Sequence, residues 1–209
     1  MTPENFPLDV QSLCNICHTF GERGWCRATS GNFSLRVADK FCLVTQSGRD
    51  KSLLTVSDLM ICDLAGQAVD AKLKPSAETP LHAGLYQLDD SIGAVLHTHS
   101  IAATLISRHC GSTLKMVGFE MQKAFAGVNS HEEEISIPIF DNNQDMDALA
   151  NLLTNAWGAD GLAIPGFLIR GHGLYAWGTN AAEARRHVEG FEFLFECFWQ
   201  ESLAKKSCV

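Results

Sequence analysis

Two histidines one residue apart close an apolar run in "GAVLHTHS", residues 93 to 100. On a strand, residues i and i+2 share a face, so His97 and His99 project side by side while Thr98 points away. That geometry suits chelation. Neutral imidazoles bind zinc and comparable divalent metals, and a catalytic site usually takes three protein ligands and keeps one position open. For the pair alone, two solvated polar caps at a strand end is an equal alternative. A third histidine, His172, sits in "LIRGHGLYAWG" between Gly171 and Gly173. Paired glycines permit a sharp backbone path and close approach of another group, so packing explains such a histidine poorly. The same residues spell Gly171-x-Gly173-x-x-Ala176, a mimic of the dinucleotide fingerprint. That motif needs a helix to begin there, whereas the apolar residues run on to Trp177.

The remaining histidines lack such company. His131 opens "HEEEI", but a metalloprotease helix would need a second histidine where Ile135 stands, so the run reads as a solvated acidic face. His18, His109 and His187 fall on helical segments without companions. His82 lies one helical turn after Glu78, the spacing at which side chains meet, and reads as an ordinary paired helix residue. Cys14 and Cys17 form a C-x-x-C with no second pair, on a segment whose Val10, Leu13, Cys17 and Phe20 follow a helical period; they read as core thiols. Eight cysteines at irregular spacing, without an export signal, are expected to be reduced.

The elements that must position these residues follow from periodicity. After the first helix, "TSGNFSLRVADKFCLVTQSG" is a hairpin divided at "ADK". "TVSDL" is a cap and turn before the strand "LMICDLAG", and "SAETPLHAGLYQL" is helical through Leu81, Leu85 and Leu88. "IGAVLHTHS" is a strand running into the helix "IAATLISRHC". "ISIPIF" is a strand, "DMDALANLLTNAW" a helix with Leu149, Leu152 and Leu153 inward, and "GFLIRGHGLYAWG" a long strand or strand pair. A last helix over about 180 to 201 carries Val188, Phe191, Phe195 and Phe198 on one stripe, with Phe193 and Trp199 off it; that surplus of apolar surface predicts a subunit contact. Hairpin-like pairs among alternating strands and helices point to α/β in the loose sense, a mixed or mainly antiparallel sheet layered with helices.

Composition narrows the partners. Of 209 residues, 46% are hydrophobic and 19% charged, with a formal charge of -8 and no basic block, which argues against a nucleic-acid surface and for small molecules. No run approaches the ~20 apolar residues of a membrane span, and the expectation is one soluble, cytoplasmic domain over 1–209.

Five short stretches, "SGN" at 30 to 32, "TQSG" at 45 to 48, "SAETPLH" at 76 to 82, "HTHS" at 97 to 100 and "GHG" at 171 to 173, stand in the order and spacing of the class II aldolase/adducin family. The chain resembles that family over nearly its whole length. Within it, "ATSGNFSLR", "SAETPLH" and "FEMQKAFAG" most resemble the branch that dehydrates 5-methylthioribulose 1-phosphate in methionine salvage. The resemblance implies an α/β/α layered fold around a mostly antiparallel sheet, a homotetramer with sites near subunit interfaces, and one Zn2+ per subunit held by His97, His99 and His172. It gives Glu120 the principal acid/base role and makes Glu78 a metal-adjacent second. It also assigns Gly31, Asn32, Ser47, Gly48, Ser76 and Lys51 to the substrate phosphate. Small-residue turns whose N–H groups and hydroxyls surround an anion give that last assignment an independent physical basis.

The chemistry implied is removal of a proton next to a ketone and loss of the neighbouring hydroxyl, with a metal to stabilise the enediolate and a carboxylic acid of raised pKa to protonate the leaving group. The same enediolate would serve an aldolase or epimerase acting on another ketose phosphate. A non-catalytic adducin-like interaction module is the third reading, though such a module is expected to have lost ligands, and all three histidines stand here.

Overall fold

The computed structural model describes residues 1–143, 145–159 and 161–207. Along the chain run α1 (Pro7–Glu22), β1 (Asn32–Ala38), β2 (Phe41–Thr45), β3 (Leu59–Asp63), α2 (Thr79–Leu88), β4 (Ala94–Thr98), α3 (Ile101–His109), β5 (Thr113–Met116), β6 (Ile135–Phe140), α4 (Met146–Trp157), β7 (Gly166–Ile169), β8 (Gly173–Gly178) and α5 (Ala181–Ser207). The strands form one sheet in the order β3-β2-β1-β4-β8-β7-β6-β5. Every neighbouring pair is antiparallel except β6 with β7, so the expected mostly antiparallel sheet is found.

Strand alternation divides the core into two layers. On β4, Ala94 and Leu96 join a cluster with Phe20 of α1, Ala103 of α3 and Phe191 of α5. Val95 points the other way, into a cluster with Leu81 and Leu85 of α2, Leu149 and Leu153 of α4, and Tyr175 and Trp177 of β8. Helices thus cover both faces, the α/β/α arrangement that the family resemblance implies. Each fully buried Leu or Phe in these layers contributes ~1.5–3 kcal/mol relative to exposure.

Local chemistry sets the boundaries. Pro7 opens α1 at a position where a missing N–H costs nothing. The "TVSDL" segment is a 3-10 turn, Val56–Asp58, closed by the Asp58 carboxylate, which accepts from the Thr55 N–H and hydroxyl. The "ADK" break is the turn between β1 and β2, and the long apolar run at 166 to 178 resolves into the hairpin of β7 and β8. Two features depart from the sequence reading. Leu152 is 46% exposed rather than inward, while Leu149 and Leu153 are buried, because α4 turns only a narrow stripe to the sheet. The edge strand β5, four alternating residues, and the 3-10 turn Glu120–Ala124 are too short for a period to reveal. Met116 and Phe125 belong to the core, and Phe119 packs partly buried against it. Cys14 and Cys17 are buried free thiols, as expected; Cys208 lies outside the described residues.

Candidate metal centre and anion cleft

β4 ends at Thr98 in the middle of the sheet, with His97 on its α2 side and His99 just past its end. His97 is fully buried and stands opposite Tyr175 in the β4/β8 register. Its Nδ1 lies 2.8 Å from the Leu174 carbonyl oxygen, which can only accept, so Nδ1 carries the proton and Nε2 presents a lone pair. That Nε2 is 2.7 Å from His99 Nε2 and 3.3 Å from His172 Nε2. The hairpin turn between β7 and β8 delivers His172. Gly171 adopts φ +66, and a Cβ on Gly173 would collide with the Thr98 carbonyl oxygen, so only glycine lets β8 close against β4 there.

Glu78 joins them from the residue preceding α2. Its Oε1 lies 3.3 Å from His172 Nε2 and 3.6 Å from His97 Nε2. One donor atom from each of Glu78, His97, His99 and His172 falls within 4.8 Å of every other. Burial holds His97 well below the ordinary imidazole range, helped by His99 and His172 as like neighbours. Burial, then His172, pushes His99 down to about 4. Glu78 Oε1 is buried with no hydrogen-bond partner among the described residues. Neutral imidazole lone pairs facing an unsatisfied carboxylate oxygen repel one another until a cation sits among them. A tetrahedral ion with ~2.0–2.1 Å metal–nitrogen bonds holds its ligand atoms ~3.3 Å apart. The donor set therefore fits a divalent metal.

Beside the cluster lies a cleft lined by Ser30, Gly31, Asn32, Ser47, Gly48, Lys51, Ser76, Glu78 and His99. All six residues expected at a phosphate line it. Asn32 stands opposite His97 in the β1/β4 register, and its side-chain amide donates to Glu78 Oε2 at 2.5 Å, which orients the carboxylate. Gly31 adopts φ +76, and a Cβ there would come within 2.7 Å of the His97 carbonyl oxygen. The Ser76 hydroxyl accepts from the Glu78 N–H at 3.3 Å. Lys51 is almost fully buried. Its ammonium donates to the Thr29 and Arg49 carbonyls at 3.0 and 2.8 Å, leaving one N–H for the cleft, and burial lowers its pKa.

Glu120 stands apart. It begins the 3-10 turn Glu120–Ala124 with its side chain 71% exposed, paired to Lys123 at 2.7 Å and His131 at 3.1 Å. The hydrogen bond from Lys123 holds its carboxyl below the ordinary range, the reverse of the raised value that an acid in a water-poor pocket would show. Among the described residues, nothing of its own chain links it to the histidine cluster. His82 does not pair with Glu78 either. It is buried, its Nδ1 is 2.8 Å from Ser34 Oγ, which lies 2.8 Å from the Tyr86 hydroxyl, and burial pushes it down to about 3. His18, His109 and His187 make local contacts: a bond to the Leu54 carbonyl, a stack on Trp199, and for His187 bonds with the Trp177 carbonyl and the Ala126 N–H.

Two contributors escape the sequence reading. The β1–α2 seam, Asn32 to Glu78 and Ser34 to His82, needs the register of two distant elements. Glu192 is a fully buried carboxyl on α5; its signal is an acid spaced four after Val188 and three before Phe195, on the core-facing stripe.

The family model described as Class II Aldolase and Adducin N-terminal domain matches residues 11–199. The chain is 50% identical to the methylthioribulose-1-phosphate dehydratase of Pectobacterium atrosepticum over 195 residues, 93% of this chain and 95% of that one. It is 50% identical to the protein of that name from Marinobacter nauticus, over 90% of this chain and 91% of that one. Among solved structures, the L-fuculose-1-phosphate aldolase of Thermus thermophilus superposes with TM-score 0.69 at 24% identity, covering 92% and 95% of the two chains. YgbL of Klebsiella pneumoniae superposes with TM-score 0.78 at 21% identity, covering 96% and 91%.

Proposed function

The chain belongs to the class II aldolase and adducin family, and from that premise we propose that it is a hydro-lyase converting 5-methylthioribulose 1-phosphate to 2,3-diketo-5-methylthiopentyl 1-phosphate, a step of methionine salvage. The observation that carries the reading is the meeting of Glu78, His97, His99 and His172 with an anion cleft, in a chain half identical to curated dehydratases. We read the whole chain, 1–209, as one domain of this kind. No helix among the described residues is long and apolar enough to cross a membrane, and we assign the enzyme to the cytoplasm.

We assign one zinc ion per subunit to His97, His99 and His172, whose neutral imidazoles match its preference for nitrogen ligands. When bound, the metal supplies positive charge beside the substrate ketone and makes the neighbouring C–H acidic. The chain's residues do the rest. Gly31, Asn32, Ser47, Gly48 and Ser76 receive the phosphate through backbone N–H groups and short polar side chains, with Lys51 adding charge from below. Asn32 keeps Glu78 aimed at the imidazoles, where Oε1 can hold a proton next to the reacting carbons. Loss of the C4 hydroxyl needs an acid to hand it a proton, since hydroxide is a poor leaving group. We assign that principal acid/base role to Glu120, with Glu78 second. Because Glu120 is exposed and away from the cluster of its own chain, it serves from a neighbouring copy in a homotetramer. There, burial against the partner would raise the carboxyl that Lys123 now holds down. Half-exposed Phe193 and partly exposed Met121 give that face apolar surface for a second copy to cover.

The test is incubation of the purified protein with 5-methylthioribulose 1-phosphate alongside other ketose phosphates. Loss of water from the former alone is the expected result. Carbon–carbon cleavage or epimerisation instead would make the chain an aldolase or epimerase, and no turnover of any ketose phosphate would make it a binding module.

A further inference from the structure

α5 packs its Val188, Phe191, Leu194 and Phe195 into the core, yet it also carries a carboxylate into the same layer. Glu192 is fully buried, and an apolar side chain of similar size would fill that space without the cost of burying a carboxyl group. Its partner explains its presence. Glu192 Oε1 accepts from the Thr98 hydroxyl at 2.6 Å. Thr98 and Ser100 flank His99. Thr98 is the last residue of β4, on the strand face opposite His97. Ser100 is the N-cap of α3, its oxygen accepting from the Ala103 N–H. Between them, the His99 N–H donates to the Trp25 carbonyl at 2.7 Å.

The segment 98–100 is therefore tied down at three consecutive residues. His99 has need of it. The His97 ring is fixed by its own bond to the Leu174 carbonyl, whereas among the described residues no hydrogen bond from outside the cluster fixes the His99 ring. The direction in which His99 points is set by its backbone.

We propose that Glu192 is a positioning residue for the metal centre: by holding Thr98, between the two histidines, it fixes the backbone from which His97 and His99 project and so sets the bite of the chelate. The inference rests on the reading of those histidines as metal ligands. Groups that orient ligands from outside the metal sphere commonly change metal affinity by roughly 10–100-fold when removed. Glu192 does so one step further out, through the main chain.

The experiment measures Zn2+ and Co2+ affinity of the metal-free full-length protein by competition with a chromophoric chelator, together with the Co2+ absorption spectrum. The variants are E192Q, T98V and T98S, with the thermal midpoint of the metal-free form as the folding control. Expected are roughly tenfold or greater weakening in E192Q and T98V with an altered Co2+ spectrum, and affinity near the parent's in T98S, which keeps the hydroxyl. If E192Q does not fold, the T98V and T98S pair decides. Parent-like affinity and spectrum in folded E192Q and T98V, with only the midpoint lowered, would show that the carboxyl merely fastens α5 to the sheet and overturn the proposal while leaving the metal reading intact. Failure of the parent itself to bind either ion would overturn both.

Discussion

Tyr175 lies flat against His97, ring centroids 4.0 Å apart and 17° from parallel, and stacks in turn on Phe167 at 5.2 Å and 8°. The three are cross-strand neighbours on β4, β8 and β7, so the sheet register itself builds the platform under the most buried imidazole. The phenyl ring, not the hydroxyl, is what supports His97, since the hydroxyl is buried without a hydrogen-bond partner among the described residues. Tyr175→Ala should therefore cost ~3–5 kcal/mol, the usual range for deleting a buried aromatic. Tyr175→Phe should stay within ~1 kcal/mol of the parent. Urea unfolding of the metal-free proteins reads both; equal losses would place the support in the hydroxyl.

Metal should stabilise the fold through its ligands. Added to the metal-free protein at ~100 times its dissociation constant, Zn2+ is expected to raise stability by ~2.7 kcal/mol. His97→Ala and His172→Ala should lose most of that gain and the activity with it. His109→Ala, whose ring only stacks on Trp199, should keep both. Scanning calorimetry with and without Zn2+ checks this, and a full shift in His172→Ala would remove it from the ligand set.

Acid should destabilise the metal-free protein. His82 sits at about 3 and His99 at about 4 in the folded chain, against an ordinary 6.5. Below pH 6.5 the unfolded state takes up protons that the folded imidazoles refuse, so stability falls as pH drops from 6.5 toward those values. Each contributes a loss of up to ~2 kcal/mol by pH 5. Glu192 works in the opposite sense: burial raises it from 4.5 to about 7, so the folded state holds its proton between those values and stability falls as pH rises through them. E192Q removes that opposing contribution, and its acid loss should be steeper than the parent's. Urea midpoints at pH 7.5 and 5 measure the difference.

Glycine at two cleft positions answers different needs. Gly31 and Gly48 both have positive φ, but only at Gly31 would a Cβ meet backbone, 2.7 Å from the His97 carbonyl, whereas nothing lies within 4 Å at Gly48. Gly48→Ala should cost only the left-handed strain of ~1–2 kcal/mol. Gly31→Ala should cost more and disturb His97. Calorimetric titration with inorganic phosphate should show a larger loss in Gly31→Ala; equal losses would mean that the close approach can relax.

What could be read in advance follows from how far each signal extends along the chain. His97 and His99 are legible because a strand's period of two puts them on one face, and His172 because flanking glycines mark a turn that apolar packing does not need. Layering and sheet sense followed from hairpin-like spacing. One helical period fits two neighbouring stripes, which is why Leu152 reads as inward, and the four residues of β5, though they alternate, are too short a run to mark a strand. The link from Asn32 to Glu78 joins residues 46 apart, and the bond from Thr98 to Glu192 joins residues 94 apart. Local periodicity carries no information about such pairings.

The division of labour between Glu120 and Glu78 is open to a direct test of assembly. Glu78 touches the histidines of its own chain, whereas Glu120 is exposed and, among the described residues, pairs with Lys123 and His131. If Glu120 acts from a neighbouring copy, E120Q and H97A subunits are each inactive alone, but a mixed oligomer contains sites with an intact histidine cluster from one chain and an intact glutamate from the other. Unfolding and refolding the two variants together should then restore part of the parent's turnover, while E78Q mixed with H97A should restore none, because both lesions fall in one chain's cluster. Zn2+ content should stay at the parent's level in E120Q. Mixtures of E120Q with H97A that remain inactive despite forming hetero-oligomers would move the acid/base role to Glu78, as would near-parent turnover by E120Q alone.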